Sequence, residues 1–141
     1  MGRIDSSAYA MLLGGGPPFI MTAKKFGQVL DKLRRSGFQV IGVDSHNIRS
    51  TRELLNAVGR ALGFPAYFRP NWDAVNDSLG EWAALNEQPT ALVLQGIGDM
   101  QAFDEDAYME SVTELSSVAS RLGLPTGGRL PRQLIVIFVR D

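Results

Sequence analysis

TALVLQGI, residues 90–97, is an uncharged apolar run rich in strand-forming side chains, and polar and apolar positions do not alternate along it. A strand exposed on one face alternates, whereas a strand covered on both faces reads as a continuous apolar run. A second run of this kind, QLIVIFV, spans 133–139, and FQVIGVD at 38–44 is a weaker third. The segments around them carry helical periodicity. Residues 22–35 place Phe26, Val29, Leu30 and Leu33 on one side, open with Thr22 and stop at Gly37. Residues 50–62 pair Ser50 with Glu53 in a capping-box pattern and stop at Gly63 and Pro65. A third helix is predicted from Asn71 to about Leu85 and a fourth from Asp104 to Leu122, closed by Gly123 and Pro125. Strands separated by helices build βα units, whose crossovers favour parallel neighbours. The expected fold is α/β, a small three-stranded parallel sheet packed with about four helices.

The first residues fit this pattern less well. AYAMLL at 8–13 and FIMT at 19–22 flank GGGPP and read as either a short hairpin or an irregular arm. Residues 1–37 are therefore expected to be an N-terminal extension, an arm plus a helix, packed on a domain of residues 38–141. The stretch 126–132, with two glycines and a proline, reads as a loop.

A chain of 141 residues with 45% hydrophobic content supports one core. There is no cysteine, so disulfides, thiolate zinc sites and cysteine nucleophiles are excluded, and a reducing cytoplasm is the expected home. The longest uncharged stretch, Ser6 to Ala23, is broken by three glycines and two prolines. It is too short in apolar length to span a bilayer and lacks the pattern of a signal peptide.

Charge is unevenly spread. Residues 70–120 hold ten Asp or Glu and neither Lys nor Arg, although the net charge of the chain is only −1. A surface built from that block would attract a cationic partner and repel nucleic acid. The block includes NWDAVNDSLGEW, residues 71–82, where Asp73, Asp77 and Glu81 recur at intervals of four. With Asn71 as N-cap, Trp72, Val75, Leu79 and Trp82 form an apolar stripe about 80° wide and the three acids lie on another side. Asp73 has a local role, because a first-turn carboxylate offsets the positive helix end. Asp77 has acids at both i−4 and i+4, and each like-charged pair costs a few tenths of a kcal/mol, roughly. Asn76 and Gly80 border the acids. Gly80 inside a helix costs up to about 1 kcal/mol, which suggests a helix end or a close backbone. Ahead of the helix, Pro65 and Pro70 stiffen a loop holding Tyr67 and Phe68, one expected in the core and the other exposed; Tyr67 is the better interface anchor.

Other chemistry finds little support. Paired carboxylates serve glycosidases, but one small helix offers no groove for a sugar. The acids at 104–106 lack the spacing of a calcium loop and read as first-turn helix acids. His46 follows Ser45 directly, so in extended backbone their side chains diverge and no nucleophile–base pair forms. Neither GGG at 14–16 nor GIG at 96–98 continues into a phosphate-binding motif. No enzyme activity, metal or cofactor is expected.

The order strand, IRSTRELLNAVGRALGFP, YF, NWDAVNDSLGEW, TALVLQ, long helix and RQLIVIFV resembles the barstar family, intracellular inhibitors of a secreted bacterial ribonuclease. The resemblance covers about residues 38–141. It implies a barstar-like fold and a one-to-one complex with a basic, guanyl-preferring ribonuclease, with no nucleic acid or membrane partner. Tyr67 would be the loop anchor, Asp73 a partner for rim cations, Asp77 the carboxylate entering the phosphate pocket and Trp82 an edge aromatic. The full candidate surface is Tyr67, Phe68, Asn71, Asp73, Asn76, Asp77, Gly80, Glu81 and Trp82. Departures are specific: Asn76 replaces a family tryptophan, Glu81 a glycine, Ser78 a cysteine, and Val118 matches an interface glutamate. They imply a different target or a shifted docking geometry. Two other readings remain, an immunity protein against another toxin and a regulatory module that binds a basic protein.

Overall fold

The structure is a computed structural model that describes residues 17–122 and 134–141. AYAMLL, the GGG triplet and the loop at 126–132 lie outside the described residues. The described chain runs β1 (Phe19–Met21), α1 (Ala23–Arg35), β2 (Gln39–Asp44), α2 (Thr51–Leu62), α3 (Trp72–Leu85), β3 (Thr90–Gln95), α4 (Gly98–Phe103), α5 (Glu105–Leu122) and β4 (Leu134–Val139).

The local signals act as read. Thr22 caps α1 by accepting from the Lys25 amide at 3.2 Å, and Ser50 caps α2 by accepting from the Glu53 amide at 3.1 Å. Gly63 ends α2 at φ +70°, a left-handed turn that costs glycine little. Asp104 differs from its expected place. Its backbone is extended, and its carboxylate accepts from the Ala107 amide at 3.1 Å, so it caps α5 while Glu105 and Asp106 fill the first turn.

Among the described residues the sheet has four strands, not three, in the order β1-β4-β3-β2 and parallel throughout. The added strand is FIM of residues 19–21, expected as part of a short hairpin or an irregular arm; among the described residues it pairs in parallel with β4. Phe19 pairs with Ile137 and Met21 with Val139, and the Arg140 amide donates to the Met21 carbonyl at 3.0 Å. A three-residue strand is too short to show periodicity, and its partner lies more than a hundred residues away. A fifth helix, the six-residue α4, adds to the four expected.

Side chains alternate along β4 between two cores. Leu134, Val136 and Phe138 enter one with residues of α2, α3 and α5; Ile135, Ile137 and Val139 enter the other. The second core is closed by Phe26, Val29 and Leu33 of α1, together with Phe19 and Met21 of β1. Each face of the sheet therefore carries helices, which is why β3 and β4 read as uninterrupted apolar runs. α1 crosses from edge strand β1 to the opposite edge β2 over one face, leaving α3 and the loop before it on the other.

Candidate functional site

The site is built where the loop after α2 enters α3. The Phe68 amide donates to the Pro65 carbonyl at 2.9 Å, closing a tight turn. Phe68 packs inward: its ring lies 5.0 Å from that of Phe64, and a side-chain carbon added at Gly59 would come within 3.2 Å of it. Its neighbour Tyr67 is 74% exposed. The loop thus separates one aromatic into the core and one into solvent, as its two adjacent positions require.

Asn71 caps α3, its side-chain oxygen accepting from the Ala74 amide at 2.8 Å. Val75 and Leu79 are fully buried, while Trp72 and Trp82 are half-buried at the margin of the same core. The Trp72 indole donates to Glu110 of α5 at 2.9 Å, which ties the start of α3 to α5. Asp73, Asp77 and Glu81 are exposed, and among the described residues none has an ion-pair or side-chain hydrogen-bond partner. Three carboxylates on one face are thus left to solvent.

Gly80 departs from both expectations for it. The helix continues to Leu85, and a side-chain carbon added at Gly80 would meet nothing within 4 Å. Packing among the described residues gives no reason for glycine there. Asn76, on the border between the stripe and the acids, donates from Nδ2 to the Trp72 carbonyl at 3.0 Å, and its Oδ1 accepts from Arg121. Arg121 is the residue that sequence reasoning missed. It lies just past the base-free window, 45 positions from its partner, and only the packing of α5 against α3 brings the two together. Val118, matched by position to an interface glutamate, is instead buried in the core at 3% exposure.

A second polar group gathers at the carboxyl ends of the strands. His46 Nδ1 lies 2.7 Å from Asp44 Oδ1, and the His46 amide also donates to that oxygen. These bonds hold the Asp44 carboxyl below its ordinary value. Ser45 is fully buried whereas His46 is exposed, the divergence expected of adjacent residues leaving a strand. The His46 ring lies over Gly96, where φ is +78° and any side chain would collide with it. Among the described residues no group of three His, Cys, Asp or Glu side chains is placed to hold a metal ion, and no helix is long and apolar enough to cross a membrane.

A doubly covered parallel sheet that presents, beside an exposed tyrosine, a row of helix acids without ion-pair partners among the described residues defines a small α/β domain. The Barstar family model, described as barnase inhibitor, matches residues 38–130, and the chain belongs to the barstar family. The match leaves out β1 and α1 at one end and β4 at the other. Comparison with curated proteins finds no match.

Proposed function

We propose that this protein is a cytoplasmic, non-catalytic inhibitor of a microbial extracellular guanyl-preferring ribonuclease, forming a one-to-one complex in which α3 and the loop before it occlude the active site. One observation carries the reading: in a chain of the barnase-inhibitor family, the acids of α3 are exposed, in register and, among the described residues, unpaired. A ribonuclease has to present positive charge to RNA phosphates, so it offers the counterpart that this helix lacks internally. Tyr67 supplies an amphipathic anchor at the rim. Asp77 is the carboxylate that mimics a phosphate, Asp73 meets rim cations, and Asn71, Asn76, Gly80, Glu81 and Trp82 border the contact. Phe68 supports the loop from within.

The test is a titration of a barnase-like ribonuclease, and of a guanyl-specific actinomycete-type one, with the protein and with Asp77→Ala. One-to-one inhibition that the substitution abolishes supports both function and site. Absence of inhibition of either enzyme by the unmodified protein sinks this reading and favours an immunity protein against another toxin, or a module for a basic partner.

A further inference from the structure

The acidic block has a cation at its edge. Arg121, in the last turn of α5, donates to the Oδ1 of Asn76, whose Nδ2 donates to the carbonyl of Trp72. The two bonds orient the amide consistently, with oxygen toward the guanidinium and nitrogen toward the helix carbonyl. At 100° per residue Asn76 lies between the buried stripe and the row of Asp73, Asp77 and Glu81. The chain thus holds a guanidinium at the residue that borders the acid row, yet among the described residues Arg121 makes no ion pair with Asp73, Asp77 or Glu81. A role in offsetting the negative end of α5 needs only proximity to the last carbonyls and no partner on another helix. The remaining N–H groups of the guanidinium find no acceptor among the described residues, and the side chain is exposed.

We infer that Arg121, positioned by Asn76, is a specificity determinant of this face: it requires the bound nuclease to present a carboxylate beside its cationic active site. The inference rests on the proposed function and adds a feature of the partner. A partner that is uniformly basic opposite α3 would be repelled by Arg121. A partner with a carboxylate at that point gains a bidentate, charge-assisted pair, which phosphate-like geometry on the neighbouring acids does not provide. The two cases predict opposite signs, because removing a repelled charge tightens a complex and removing a paired one loosens it.

The experiment measures dissociation constants and rates for the nuclease inhibited in the titration above, using wild type, Asp77→Ala, Arg121→Gln, Arg121→Glu and Asn76→Ala. Arg121→Gln is expected to raise the dissociation constant about tenfold, mainly through faster dissociation, and Arg121→Glu by about a hundredfold. Melting temperatures should stay level, since the side chain is exposed. Asn76→Ala should weaken binding less, and in its background Arg121→Gln should lose part of its effect, a coupling that a merely structural residue would not show. Unchanged or tighter binding by both Arg121 variants, with Asp77→Ala still weakened, overturns the inference and leaves the proposed function standing. Wild-type affinity in Asp77→Ala, or no binding of either nuclease by the wild type, removes the proposed function and this inference together.

Discussion

Asp77 has no structural reason to be acidic. It caps nothing, pairs with nothing among the described residues, and has like charges one turn away on either side. Asp77→Ala should therefore leave thermal stability unchanged or slightly raised, while weakening binding to the target nuclease by at least about 2 kcal/mol, the scale of an interface hot spot. Calorimetric melting beside a binding titration checks both halves; lost stability with intact affinity contradicts the assignment. Gly80 makes the complementary case. Its α-carbon faces open space within a continuous helix, so Gly80→Ala should stabilise the fold by up to about 1 kcal/mol, read as a higher denaturation midpoint. If that stabilised variant also binds less tightly, the missing side chain belongs to the contact surface.

The loop and strand ends divide their work between neighbouring residues. Tyr67→Ala should be silent in stability, because its ring is exposed, and should weaken the nuclease complex. Phe68→Ala removes a ring packed on Phe64 and Gly59 and should cost about 2 kcal/mol of folding free energy, below the range for a fully buried phenylalanine. Urea denaturation of the two variants separates the roles, and equal destabilisation would refute the division. At the end of β2, hydrogen bonds from His46 hold the pKa of Asp44 below the ordinary carboxylate value. A carboxylate with a depressed folded pKa contributes stability that is present above its unfolded value and lost as the pH falls through the folded one. His46→Ala removes the largest cause of the shift, so it should lower stability at neutral pH, and the difference from wild type should vanish as the pH falls below the folded value; melting temperatures measured across pH check this. The third and second helices were legible because their caps and stops are local: Asn71, Ser50 and Gly63 each act within four residues of the amide or carbonyl they bond. α4 was not, since it has only six residues and no side-chain cap.

At the scale of the molecule, the chain separates charge as well as apolar surface. Residues 1–37 hold six bases and two acids, and residues 38–141 hold eight bases and thirteen acids. α1 and α3 lie on opposite faces of the sheet, so the basic helix is kept away from the acidic one. Burial binds α1 to the rest: Leu33 and Val29 are fully buried against Ala91, Val93, Ile135 and Ile137. Leu33→Ala should cost about 3 kcal/mol and lower the single cooperative transition seen by the fluorescence of Trp72 and Trp82 on the far face. A tryptophan transition unchanged by the substitution would mean that α1 unfolds independently.

Three strands, three of the helix starts and the acid row follow from the sequence alone. Each rests on short-range chemistry: uninterrupted apolar runs, caps within a turn and the 100° step that sets side chains on a face. Tertiary structure alone decided the fourth strand, because Phe19–Met21 becomes a strand only by hydrogen bonding to Ile137–Val139 at the other end of the chain. It also decided that Phe68 turns inward, that Val118 is core, and that Arg121 reaches Asn76 at the edge of the acid face. Such contacts join residues far apart in sequence, and no local propensity records which distant surface a side chain will meet once the two cores close.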